Sequence, residues 1–126
     1  NLYYLYTESA LVNKFADYEA DIRLRKAVER ALQVCVEALL DIGRNVIIRE
    51  HLPQPEGNRE VFTTLASVNI IPADLLPPLI EMARFRNLLV HEYTKIDDAK
   101  VYHIFKTRLS DFNSFIAAID QYFASE

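Results

Sequence analysis

Between Asp21 and Glu50, apolar residues recur at Leu24, Val28, Ala31, Leu32, Cys35, Ala38, Leu39 and Ile42. These spacings of three and four place them on one face of a helix. About thirty residues in that register form a rod roughly 45 Å long with a continuous apolar stripe. Such a rod must be covered by other elements, and the rest of the chain offers helices to do it. Asp21 is a suitable cap for its start, and Pro53 and Pro55 bar its continuation. Gly43 falls inside it, where a glycine costs about 1 kcal/mol relative to alanine. A close crossing with another helix would explain its presence.

The remaining chain is punctuated in the same way. Pro53 to Asn58 reads as a loop, with Asn58 as the cap of a short helix from Arg59 to about Ser67. Asn69-Ile70-Ile71-Pro72 is a break. The next helix starts near Ala73 or Asp74, because the pair Pro77 and Pro78 fits only a first turn. It runs to Val90 or His91. Asp97 caps a last helix whose stripe is Val101, Phe105, Leu109, Phe112, Ile116, Ile119 and Phe123. Leu2 to Val12 is apolar, tyrosine-rich and helical in pattern. No repeat, low-complexity segment or second domain is visible. The expectation is an all-α, antiparallel bundle of about five helices, a single domain over residues 1–126.

Composition narrows the class. Hydrophobic residues make up 51% of the chain and charged residues 25%, which excludes disorder. Only two glycines argue against a hairpin-rich β fold. The single cysteine, Cys35, sits between apolar neighbours and reads as a core residue. No signal-peptide pattern and no long apolar run occur, so the expectation is a soluble cytoplasmic protein with no membrane span. The chain starts at Asn1 rather than at a methionine, so residues before it are expected to be missing. A net charge of −4 argues against nucleic-acid binding by the overall field. It leaves room for a local basic patch, for which Arg84, Arg86, Lys95, Lys100, Lys106 and Arg108 are candidates. Arg84 and Lys95 lie nearest the chemistry described next.

Chemistry concentrates at Arg86-Asn87-Leu88-Leu89-Val90-His91-Glu92-Tyr93. An arginine offers a planar fork of donors for a phosphate. A histidine exchanges a proton near neutral pH. Asn87 can orient a substrate oxygen, and Tyr93 can pack, hydrogen-bond or carry a modification. RNA carries its own nucleophile, the 2′-hydroxyl. A base (His91) and a cation that stabilises the phosphorane (Arg86) therefore suffice for cleavage, leaving a 2′,3′-cyclic phosphate and a 5′-hydroxyl. Residues five apart on an ideal helix lie about 140° apart around the axis. Arg86 and His91 therefore share a site only if the helix ends or distorts at His91, or if a two-fold dimer combines two copies. The dimer is the favoured reading. Spacing alone also suits a surface ion pair and a C-terminal histidine cap. His91-Glu92 begins like a zinc-protease motif, but Lys95 holds the second histidine position, so no metal site is expected.

The chain resembles the HEPN domains, and among them the HepT-type toxins of HepT/MntA toxin–antitoxin pairs. The resemblance runs through Arg25 to Leu32, Glu37 to Ile42, Glu60-Val61-Phe62 with Leu65, Ile71-Pro72, and Arg86 to Tyr93. It implies a helical homodimer whose motif helices meet in a cleft, acting as an endoribonuclease that needs no metal. It assigns catalysis to Arg86 and His91, with Asn87 as the polar partner. It assigns Tyr93 as the tyrosine AMPylated by a minimal nucleotidyltransferase antitoxin, an MntA-like protein that uses ATP and Mg²⁺. The metal and nucleotide then belong to the partner, and this chain needs no cofactor. The substrate would be tRNA or mRNA. Glu37 and Asp41, one turn apart on the long helix, could orient Arg86 or be solvated charges. Two other readings remain: a non-catalytic helical module that binds nucleotides or pairs with a nucleotidyltransferase, and a structural dimerisation bundle.

Overall fold

The computed structural model describes residues 1–125, and among them there are seven α-helices and no strand. These are α1 (Leu2–Leu11), α2 (Phe15–Ala20), α3 (Ile22–Arg49), α4 (Asn58–Ser67), α5 (Leu76–His91), α6 (Asp98–Thr107) and α7 (Ser110–Ala124). Single 3₁₀ turns at Ala73–Leu75 and Tyr93–Lys95 flank α5. α3 is the expected long rod, and each of the other six helices packs against it. Its fully buried stripe includes Val28, Leu32, Val36, Leu39 and Ile47.

The helix count exceeds the expected five for two local reasons. Phe15–Ala20 forms a short helix of its own, burying Tyr18 against Phe15, Tyr102 and Phe105. The stripe from Val101 to Phe123 is two helices, not one. α6 ends at Thr107 and α7 begins at Ser110. Leu109, buried at the joint, keeps the apolar series going through the break, so the pattern hides it. Of the stripe, Ile116 is in fact exposed.

Helix ends follow side-chain chemistry. Asp21 accepts a hydrogen bond from the Leu24 amide at 3.1 Å, and Asp97 accepts one from Ala99 at 2.9 Å, as expected of caps. Pro77 and Pro78 lie in the first turn of α5. Asn58, by contrast, does not cap α4. It is the helix's first residue, Gly57 holds the cap position, and the Asn58 side chain points to other partners described below. α3 stops before the prolines, at a left-handed His51 (φ 56°). There the Leu52 amide bonds the Ile47 carbonyl and the His51 amide bonds that of Ile48, closing the end in a Schellman arrangement. Asn69 (φ 62°) ends α4 in the same way.

Gly43 marks the crossing of α3 over α4. A Cβ there would sit 2.5 Å from Val61 Cγ1 and 3.3 Å from Leu65 Cδ1, so only glycine lets the helices approach this closely. Cys35 is partly buried, and burial pushes its thiol pKa up, away from the reactive thiolate. Among the described residues, no helix is long and apolar enough to cross a membrane.

Candidate active site at the end of α5

α5 brings Arg86 against the middle of α3. Arg86 Nε donates to Glu37 Oε2 at 3.0 Å, and Nη2 lies 3.0 Å from the same oxygen. Gln33, one turn earlier on α3, donates to that oxygen at 3.4 Å. Arg86 is thus held by a carboxylate while part of its guanidinium edge remains open, its side chain being 24% exposed. Of the two acids one turn apart on α3, Glu37 makes the contact with Arg86, and Asp41 is exposed.

Asn87 stands beside it. Its Oδ1 accepts from Asn58 Nδ2 at 3.0 Å and from Arg86 Nη1 at 3.4 Å. Asn58 Oδ1 in turn accepts from Arg44 Nη2 at 2.8 Å. One hydrogen-bonded chain therefore runs from α3 through α4 to the motif and back to α3.

His91 is the last residue of α5 and is exposed. The helix does not distort between Arg86 and His91. The Glu92 amide still bonds the Leu88 carbonyl at 2.9 Å, and only then does the chain turn away. The five-residue offset of about 140° therefore persists, with Arg86 turned toward α3 and His91 at the solvent end.

The following 3₁₀ turn carries Tyr93. Its hydroxyl donates to Glu29 Oε1 at 2.8 Å, and its ring lies under Lys26 Nζ at 5.6 Å. Glu29 is the one charged residue buried among the described residues, at 5% exposure. The hydrogen bond to Glu29 raises the Tyr93 pKa, with burial adding to it. Lys26, Glu29, Arg30, Gln33, Leu89 and Tyr93 line a shallow pocket of about 270 Å³ there.

The basic-patch candidates divide. Arg84, Lys95 and Lys100 line a second groove of about 270 Å³ between α5 and α6, floored by Phe85, Leu88, Ile96 and Ile104. Lys95 also pairs with Glu92 at 2.8 Å, which raises its pKa and lowers that of Glu92. Lys106 and Arg108 are not part of any such patch. Lys106 Nζ donates to the Ser9 and Val12 carbonyls at the end of α1, and Arg108 Nε lies 3.3 Å from Asp111. Among the described residues, no three His, Cys, Asp or Glu side chains converge as a metal site would require.

The sequence assigns no functional role to Glu29 or Arg44, and it offers Asn58 only as a helix cap. A signal existed for the first. Glu29, Gln33 and Glu37 repeat at intervals of four, a polar line along the border of the apolar stripe of α3.

A helical bundle with an arginine and a histidine five apart at the end of an inner helix is the architecture of a HEPN domain. The chain belongs to the ribonuclease HepT-like family, whose model matches residues 5–119. It is 34% identical over 104 residues to the mRNA nuclease HepT of Shewanella oneidensis, covering 82% of this chain and 78% of that one. It is 26% identical over 106 residues to the tRNA nuclease HepT of Aphanizomenon flos-aquae, covering 84% and 72%. Among solved structures, it superposes with a TM-score of 0.81 on a tri-AMPylated Shewanella oneidensis HEPN toxin in complex with MNT antitoxin. That match has 30% identity and covers 95% of this chain and 86% of the other.

Proposed function

We propose that this chain is the endoribonuclease toxin of a toxin–antitoxin pair. It cleaves RNA through Arg86, Asn87 and His91 in a cleft between two copies, and a minimal nucleotidyltransferase silences it by AMP transfer to Tyr93. The observation that carries the reading is Arg86 clamped at 3.0 Å on Glu37, beside Asn87, on the helix that ends at exposed His91. A cation so held is preorganised for a phosphate and loses little freedom on binding it.

In the reaction, His91 takes the proton from the 2′-hydroxyl. The 2′-oxygen forms a bond to phosphorus, and the bond from phosphorus to the 5′-oxygen breaks. Arg86 and Asn87 donate to the non-bridging oxygens as their charge grows. A protonated histidine returns a proton to the leaving 5′-oxygen. The products are a 2′,3′-cyclic phosphate and a 5′-hydroxyl end, and no step requires a metal. The 140° offset between Arg86 and His91 supports a two-fold dimer in which both copies contribute to one cleft.

AMP on Tyr93 adds a bulky anion two residues from His91, which repels RNA from the cleft. The Mg²⁺ and ATP of that transfer belong to the antitoxin. The site of action is the cytoplasm, where RNA, ATP and antitoxin meet. The two named relatives act on mRNA and on tRNA, so both substrates enter the test.

Unmodified protein and His91→Ala are incubated in EDTA with total tRNA and with mRNA, and the product ends are mapped. Cleavage by the parent alone, leaving cyclic-phosphate ends, is expected. Equal cleavage by His91→Ala, or complete loss of parental activity in EDTA, overturns the mechanism.

A further inference from the structure

Two arginines settle which way two asparagine side chains face. Arginine only donates hydrogen bonds, so the Asn58 atom facing Arg44 at 2.8 Å must be its oxygen. That turns the Asn58 amino group toward Asn87, 3.0 Å away. The Asn87 atom receiving it must then be an oxygen, and Arg86 Nη1 at 3.4 Å makes the same demand. Both constraints agree, and the Asn87 oxygen is taken up inside the network. The Nδ2 amino group is the end left to reach a substrate, on an exposed residue next to the open edge of Arg86.

We propose that Arg44 and Asn58 are positioning residues that lock the Asn87 side chain as a hydrogen-bond donor to the phosphate being cleaved. This deepens the reading of Arg86, Asn87 and His91 as the nuclease site and rests on it. An asparagine free to rotate would present its carbonyl to the phosphate in part of the population, and two acceptors repel. Held by Asn58, Asn87 offers only donors, aligned with a guanidinium that offers only donors. The pair makes a one-sided surface for an anion before RNA arrives, which is how such sites gain in the transition state. The arrangement also accounts for Asn58 leaving the α4 cap position to Gly57, since its side chain is committed across the helix interface.

Asn58→Asp tests this without unfolding the site. Aspartate keeps an oxygen for Arg44, adds an ion pair, and stands in the first turn of α4, where a negative charge is favourable. It cannot donate to Asn87. Thermal stability is expected to match or exceed that of the parent. The kcat for RNA cleavage is expected to fall on the order of 10- to 100-fold, less than the roughly 10²- to 10³-fold for deleting an aimed donor outright, because Asn87 is still present, with KM changing less. A second readout uses RNA with sulfur replacing one non-bridging oxygen at the cleaved phosphate. The parent is expected to slow on the stereoisomer whose sulfur faces Asn87, and Asn58→Asp to lose most of that discrimination. Parental kcat in Asn58→Asp, or undiminished discrimination, overturns the proposal. His91→Ala is run alongside. If it cleaves like the parent, the nuclease reading itself has failed, whatever Asn58→Asp does.

Discussion

The Tyr93 hydroxyl donates to Glu29 Oε1 at 2.8 Å, tying the turn after α5 to a carboxylate buried in α3. A tyrosine esterified with AMP has no proton to donate, and its phosphate would face the carboxylate. The bonded state and the modified state therefore exclude each other. Tyr93→Phe is expected to leave Glu29 without this donor and lower stability by about 1–3 kcal/mol, the cost of a stranded buried polar group. It is expected to keep RNA cleavage, since His91 and Arg86 are untouched, and to escape silencing by the nucleotidyltransferase. Denaturant unfolding and co-expression with the antitoxin measure the two effects. Full silencing of Tyr93→Phe without tight antitoxin binding contradicts the assignment of Tyr93.

Two phenols make the fold sensitive to alkali. Tyr18 is fully buried and its hydroxyl has no hydrogen-bond partner among the described residues. Burial raises its pKa, and the charges of Glu29 and Asp98 raise it further. Tyr93 is raised by its bond to Glu29. In both cases the fold favours the neutral phenol. Their contribution is complete below the ordinary tyrosine pKa of about 10 and is lost as pH rises through the folded values. The unfolding free energy is expected to keep this contribution up to about pH 10 and to lose it above. Tyr18→Phe is expected to flatten the fall and to cost little at neutral pH, because the hydroxyl it removes has no partner.

At the α3–α4 crossing, Gly43→Ala sets two effects against each other. Alanine in a helix interior gains about 1 kcal/mol over glycine. Its Cβ, however, would lie 2.5 Å from Val61 Cγ1, and Val61 is fully buried on a stiff β-branched stem. Overpacking of this kind costs about 1–3 kcal/mol. A net loss of stability is expected, read as a lower melting temperature. α4 also carries Asn58, so some loss of nuclease activity is expected with it.

The long rod, its Asp21 cap, the proline start of α5 and the close approach at Gly43 were all legible because each is local chemistry repeated along the chain. The α6–α7 break was not. Buried Leu109 keeps helical spacing through the joint, and no proline or glycine marks it. The end of α3 near Glu50 was legible to within a residue, but its cause was not: the chain turns at a left-handed His51 before reaching Pro53. At the site, the motif residues lie within eight positions and could be read directly. Their supports could not. Glu29 and Tyr93 are 64 residues apart, and Asn58 and Asn87 are 29 apart, so only the packed bundle brings them together. Lys106 looked like part of a basic patch because sequence shows a charge and not its partners. In the fold it closes the end of α1, where a helix leaves carbonyls unpaired.

Glu37→Gln separates the charge of the clamp from its shape. Glutamine keeps an oxygen within reach of Arg86 but removes the charge that holds the guanidinium from two of its nitrogens. The pair is about a quarter to a third exposed, so solvent screens it and the stability change is expected to be within about 1 kcal/mol. Catalysis is expected to suffer more, because a displacement of about 1 Å at a phosphate-binding group can cost up to 100-fold. A fall in kcat of at least about tenfold with a nearly unchanged melting temperature is the expected outcome. Asp41→Asn, an exposed carboxylate one turn away, serves as the charge-matched control and is expected to cleave at the parental rate. If both variants slow equally, Glu37 acts through the general field of α3, and its contact with Arg86 carries no special weight.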